Sequence, residues 1–400
     1  MTKAEGLDAV FEDSLPAFGG SDLRRVWQLL DEAIGNGLPM ALSISGPVTL
    51  SGQHHTWLNP LLETGWFLSL STTDAVCYHD GHRALDGSEE RPFFRVDRHG
   101  DDGDLRDERT IRVTDVGFPE DTLLEQDRFL RAVLRQPEFQ RRLSGPAFRS
   151  LLGRRFAAQE RANGVPEGLL ALCHRMALPI FVGAPADGSV FLNSIALWCE
   201  AELGDAEHRF ELDLHREVVE SCALHRHFAR HEDHGALGTL VLGGGVPKNF
   251  NLQPEPALSQ VLGVDVPGYL YDVQITTAPV SDGSLSSCPP AEAVTWGKVD
   301  KDEYRSTCVS LQADYTTVMP FLAKALLEKR ARFERWSERM GAEALYAKHP
   351  AARGYLRDPA GYRALDHLDA WTEALFEELR ERSDDGDDYP LAPLPEPDHV

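Results

Sequence analysis

The stretch LVLGGGVPKNF, Leu240–Phe250, carries an apolar run straight into three glycines, Gly243, Gly244 and Gly245. Four to five apolar residues ending in glycine read as a buried strand followed by a tight turn. Glycine permits positive φ and lets a backbone come close to a ligand. At the carboxyl end of a parallel strand, that is where open α/β sheets take nucleotides. The stretch is neither GxGxxG nor a P-loop, so on its own it reads equally as a plain tight turn.

Working outward, the flanking elements alternate in kind. Ser21–Gly37 has Leu23, Val26, Trp27, Leu30 and Ile34 at helical spacing, with Ser21 as N-cap and Gly37 as stop. Met40–Ile44 is a short apolar run that ends in SGP, and Trp66–Leu70 is a second. Further strands are expected at Pro179–Val182, Phe210–Leu214, Thr239–Leu242 and Tyr269–Thr276. Helices are expected over Thr122–Leu134, Thr317–Met340 and Leu365–Arg382, and residues 80–115 read as loop. The fold class that follows is α/β: a Rossmann-like, mostly parallel sheet with helices on both faces. The expected organisation is an N-terminal extension (1–20), a single α/β domain (21–382) and an acidic tail (383–400) of disordered composition.

Composition narrows the function classes. The formal charge of −24 speaks against nucleic acid, whose phosphates need a basic surface. A negative field favours small cations, although solubility alone also explains it. Six cysteines stand singly with no CxxC, as reduced thiols do. There is no apolar stretch of membrane-spanning length, and the first residues do not read as a signal peptide, so no membrane partner and a cytoplasmic location are expected. His225, His227, His231 and His234 cluster, but without an HExxH arrangement they read as the solvated face of a helix, and no metal site is expected. His54, His55 and His79 read the same way.

Two further segments carry candidate chemistry. DGSLSSCPPAEAVTWGK, Asp282–Lys298, runs from a small-residue loop through two prolines to a lysine two residues after Trp296. A lysine desolvated beside an indole becomes a neutral amine, able to attack an imine or carbonyl carbon. The plain alternative is an exposed lysine near a packed tryptophan. QADYTT, Gln312–Thr317, places Asp314 at the start of a long helix, as N-cap or as an acid that binds a ribose hydroxyl.

Taken together, GGGVPKNF, EAVTWGK (Glu292–Lys298) and QADYTTVMPFL resemble the C-terminal half of deoxyhypusine synthases. STTDAVCYHDGHRAL (71–85), DLRDERTIRVTDVGFPEDTLLE (104–125) and PIFVGAPADGSV resemble the family more loosely. The resemblance implies an NAD-dependent aminobutyl transferase, assembled as a homotetramer with active sites at subunit interfaces. It implies spermidine or a related polyamine as donor and Lys298 as the nucleophile that takes the four-carbon fragment as an imine. By the same carry-over, Glu292, Trp296, Gly283, Ser284, Asn249 and His79 bind substrate. Trp296 packs on and desolvates Lys298, and Glu292 pairs with an ammonium. Thr73, Asp187, Gly244, Thr277, Ala278 and Asp314 hold NAD. Eukaryotic members carry two histidines after the lysine of the glycine motif, where Asn249 and Phe250 stand here. With Leu285 after Gly283-Ser284, this is closer to the bacterial branch, and it implies a small amine such as putrescine as acceptor, giving a homospermidine-type product. A protein lysine as acceptor, or a homologue that binds polyamine and NAD without catalysis, are the alternatives.

Overall fold

The structure, a computed structural model, describes residues 6–46, 48–85, 93–204, 206–230, 235–358 and 360–384. Its centre is a six-stranded sheet. We number its strands β1 (Met40–Ile44), β2 (Phe67–Thr72), β3 (Ile180–Val182), β4 (Gly238–Leu242), β5 (Tyr271–Thr276) and β6 (Cys308–Gln312). The spatial order is β6-β5-β4-β1-β2-β3, and every neighbouring pair is parallel. Leu42 of β1 is in register with Leu70 of β2 and Leu240 of β4. Read from the other edge the order is 3-2-1-4-5-6, so the chain reverses its direction of growth between β1 and β4. That junction is the topological switch point of a doubly wound sheet.

Both faces of the sheet are covered, which is why its central strands are buried at every position. On one face Leu42, Leu70, Val273 and Ile275 join Trp27 and Leu30 of the helix Gly19–Gly35 and Met319 and Leu322 of the helix Tyr315–Met340. On the other, Ala41, Leu68 and Phe181 pack against Leu224 and Phe228 of the helix Leu214–Ala229 and against Leu252. Full burial of each such leucine or phenylalanine contributes about 1.5–3 kcal/mol. The edge strand β3 is closed by side chains. Buried Glu217 accepts the Val182 N–H (2.8 Å) and pairs with buried Arg149 (2.6 Å), which donates to the Ile180 carbonyl (3.1 Å). At the N-terminus a helix, Leu7–Asp13, stacks Phe11 on Trp27 at 5.3 Å between ring centroids.

Several expectations are corrected. The described part of residues 80–115 is not all loop. Asp74–Ala84 is a helix whose buried face is partly polar, because Asp80 accepts the N–H groups of Leu169 (2.9 Å) and Leu170 (2.8 Å). Its Gly81 is required there: a Cβ would lie 2.0 Å from the Gln126 amide. Thr110–Val113 and Val116–Pro119 form a hairpin that pairs antiparallel with Phe94–Arg95. The charged run hides their alternation, and its arginines are spent on ion pairs such as Arg98–Asp115 (3.0 Å) and Arg112–Asp102 (2.6 Å). Of Phe210–Leu214, only Glu211–Asp213 is a strand. It pairs with Arg142–Ser144 away from the main sheet, because Asp213 already caps the next helix through the Arg216 N–H (2.9 Å). The strand β6 was not anticipated.

The histidines are not solvated either. His225 is buried, with Nε2 3.0 Å from the Pro267 carbonyl, and His227 stacks on Trp371 at 4.3 Å. His54 is wholly buried, 3.5 Å from Asp80. His231 and His234 lie outside the described residues, as does the tail from residue 385. Among the described residues no group of three or more His, Cys, Asp or Glu is placed to hold a metal, and no helix is long and apolar enough to cross a membrane.

Candidate active site

The carboxyl ends of β1 and β4 meet at two turns, Ser45-Gly46 and Gly243-Gly244-Gly245. Ser45 N–H continues the ladder to the Leu242 carbonyl (3.1 Å), and Gly243 N–H does the same to Ile275 (2.9 Å). Gly243 then turns with φ +86°, and the Gly244 N–H donates to the Ser45 hydroxyl. A Cβ on Gly243 would sit 2.8 Å from that hydroxyl. The glycines are there because β1 and β4 are too close at this point for side chains.

Two cavities open from the junction. One, of about 530 Å³, runs over Ser45, Gly243, Thr277, Asp314 and Arg98. The other, of about 380 Å³, is lined by Thr73, His79, Asp187 and Val246. Both touch Gly46 and Val113, so the hairpin tip crosses the line between them. Asp314 is a true N-cap: its carboxylate accepts the Thr316 N–H (2.9 Å) and the Thr316 hydroxyl (2.8 Å). Asp187 is exposed at the end of a short turn after β3. Ala278 donates its N–H to the Thr276 hydroxyl (3.2 Å) but does not line either cavity. The two cavities offer the glycine turn, three acids (Asp115, which pairs with Arg98, Asp187 and Asp314) and a single arginine, a donor set that fits a dinucleotide.

A third cavity, of about 580 Å³, holds the lysine. Asn249, Glu292, Trp296 and Lys298 all line it, together with Lys248, Gln253, Gln260 and Cys288. Lys298 Nζ donates to Asn249 Oδ1 at 3.2 Å and lies 5.8 Å from the centre of the Trp296 ring. Gly297, with φ +77°, lets the chain turn over Glu255, whose carboxylate would be 2.6 Å from any Cβ placed there. Burial holds the Lys298 amine below the usual lysine range; Cys288 and Glu255 oppose this, and Lys248 adds to it. Trp296 does not supply that burial as expected. The residue is 58% exposed, and its ring reaches the amine without enclosing it.

Three of the residues expected to bind substrate sit elsewhere. Gly283 has open space around it, and Ser284 folds back on Asp282 through its N–H (2.9 Å) and hydroxyl (3.1 Å). Leu285, the next residue, reaches the cavity instead. His79 stands with Thr73 and Asp187, and burial pushes its imidazole down to about 4, so it is neutral near pH 7. Sequence reasoning missed Ser45 and Arg98. The SGP after the first apolar run was the available signal for Ser45; Arg98 was hidden in the charged stretch.

A family model described as deoxyhypusine synthase matches residues 10–326, most of the chain. The chain belongs to the deoxyhypusine synthase family. It is 34% identical over 380 residues to a deoxyhypusine synthase-like protein of Cyanothece sp., covering 93% of this chain and 87% of the relative. A protein of the same description from Nostoc punctiforme is 36% identical, covering 78% and 77%. One from Thermosynechococcus vestitus is also 36% identical, covering 81% and 79%. Deoxyhypusine synthase family members are typically NAD-dependent aminobutyl transferases that use polyamines.

Proposed function

We propose that this member of the deoxyhypusine synthase family transfers a 4-aminobutyl group from spermidine, or a related polyamine, through an imine on Lys298 to a small amine such as putrescine. The observation that carries the reading is the Lys298 amine, half-buried and held below its ordinary range at the wall of a cavity it shares with Asn249, Glu292 and Trp296. NAD, held at the switch point by Gly244, Thr277, Asp314, Thr73 and Asp187, supplies a hydride acceptor and donor when bound. Lys298 attacks the oxidised donor carbon, 1,3-diaminopropane leaves, and the fragment stays on Nζ as an imine. Asn249 orients Nζ. Glu292 pairs with an ammonium of the polyamine. The acceptor amine then displaces Lys298, and reduction of the new imine leaves no net redox change. Asn249, in place of a histidine, favours a small acceptor over a protein lysine. The exposed Trp296 ring, and the separation of the lysine cavity from the switch-point cavities, favour completion of the site by further copies of the chain, as a homotetramer.

One observation favours a second reading, in which polyamine or NAD is bound without transfer. Glu292 is the only carboxylate among the described residues lining the lysine cavity, which is little charge for a polycation.

The test is to incubate the protein with NAD and spermidine, with and without putrescine, and to analyse amines by mass spectrometry after a borohydride quench. Released 1,3-diaminopropane, a four-carbon adduct on Lys298 and homospermidine are the expected products. NAD binding with no released diamine and no adduct would move the reading to the second one.

A further inference from the structure

Lys248 is among the largest fully buried side chains of the described residues. It is 1% exposed, yet its Nζ donates to Gln274 Oε1 (2.6 Å), to the Leu285 carbonyl (3.3 Å) and to the Cys288 carbonyl. A neutral amine has two N–H donors, while an ammonium has three. Two of the three acceptors are backbone carbonyls, whose direction is not in question, so the site is shaped for the ammonium. Below it Asp272 of β5 is wholly buried, and neither carboxylate oxygen has a hydrogen-bond partner. Burial lowers the Lys248 amine from its ordinary range, and Asp272, itself pushed up to about 7 by burial, is the largest charge that opposes this.

Lys248 also precedes Asn249, the residue that accepts from Lys298, and both lysines line the same cavity. The groups that face Lys298 are Lys248 from the helix Gly245–Leu252, Glu255 from the adjoining turn, Cys288 from the loop and Glu292 across the cavity. Burial pushes the Cys288 thiol up, so it is uncharged near neutrality. Burial also pushes Glu255 up. Lys248 is the positive group among them, and Glu292 is the acid across the cavity.

We propose that Lys248 is a positioning residue for Lys298: its buried amine, donating to three acceptors, ties the 285–288 loop to the sheet and puts a positive group on the wall of the cavity that Lys298 shares. A second ammonium is disfavoured there, which leaves the half-buried Lys298 as a free base. The assignment rests on Lys298 as the nucleophile, and it deepens that reading by naming what activates it in place of the tryptophan.

The test reads Lys298 without NAD or polyamine. Full-length protein is alkylated with butanal and cyanoborohydride across a pH series, and the adduct on Lys298 is quantified by peptide mass at each pH. Lys248→Gln is expected to move the Lys298 midpoint upward by about one pH unit, making modification about tenfold slower below it. Lys248→Arg keeps the charge and restores most of the wild-type profile. Asp272→Asn removes the acid that favours the Lys248 ammonium and moves the Lys298 midpoint upward, as Lys248→Gln does. A Lys248→Gln profile that superimposes on wild type overturns the proposal. If that variant does not fold, an unmoved or lowered midpoint in Asp272→Asn overturns it instead. Shifted midpoints in a protein that forms no transfer product would keep the lysine pair and reject the transferase reading; normal transfer with unmoved midpoints would do the reverse.

Discussion

Lys298 Nζ donates to the side-chain carbonyl of Asn249 at 3.2 Å, so the acceptor of the nucleophile's hydrogen bond is a neutral oxygen. A neutral acceptor orients an amine without demanding that it be charged. The two residues lie on different elements, the helix after the glycine turn and the loop before β6, and they are joined only by the fold.

Replacing that oxygen by a charged one reverses the logic. Asn249→Asp puts a carboxylate at hydrogen-bond distance and stabilises the ammonium of Lys298. The amine then becomes free only at higher pH, by about one unit or more. The acid limb of the transfer pH profile should move upward by that amount, with about tenfold less turnover at a fixed pH on that limb. A profile that keeps its position would show that Asn249 is not the partner of the reacting amine.

Gly243 is a second point of test. It turns at φ +86°, and a Cβ would meet the Ser45 hydroxyl at 2.8 Å. Gly243→Ala should cost about 1–2 kcal/mol from the backbone conformation alone, read as a lower urea midpoint. It should weaken NAD binding more than it weakens amine modification at Lys298, because the strain falls at the switch point. Equal losses at both sites would place the damage in the whole fold.

Arg98 is the only cation among the described residues lining the larger switch-point cavity, and it is held by Asp115. If the pyrophosphate lies at the glycine turn, Arg98→Ala should weaken NAD and ADP binding by about tenfold, the value of one charge-assisted hydrogen bond. Adenosine binding should not change. Calorimetry with the three ligands separates the outcomes, and an equal loss for adenosine would take Arg98 away from the phosphates.

The strands that could be read in advance were those buried on both faces. β1, β2, β4 and β5 are buried at every position because helices cover both sides of the sheet. β6 escaped because its edge position leaves Cys308, Val309 and Ser310 only half-buried, so CVSLQ carries no clear period. The helix Asp74–Ala84 escaped because Asp74, Asp80 and His82 are buried polar residues, legible only once their partners are in place. At the site, Lys298, Trp296, Glu292 and Asn249 line one cavity although Asn249 comes from a separate segment. Local spacing had no way to show that Lys248 turns inward, or that His79 stands with Asp187, because both depend on how distant strands are ordered.

The last prediction concerns stability against pH. The carboxyls of Glu160 and Asp80 converge on Gly168, where a Cβ would lie 2.7 Å from one and 2.8 Å from the other. Burial pushes Glu160 from its ordinary 4.5 up to about 8, and the neighbouring Asp80 adds to the shift. Since the folded value is the raised one, the protonated acid favours the fold. The stability it provides is whole below pH 4.5 and is lost as pH rises through about 8. Glu160→Gln is neutral at every pH and keeps an oxygen for the Gly168 N–H, which Glu160 now accepts at 3.0 Å. The variant should therefore melt with wild type at about pH 4.5 and above it at about pH 9, gaining about 2–4 °C for each kcal/mol recovered. A gain of the same size at both pH values would trace the effect to packing, and no gain at the higher pH would mean that water reaches the carboxylate.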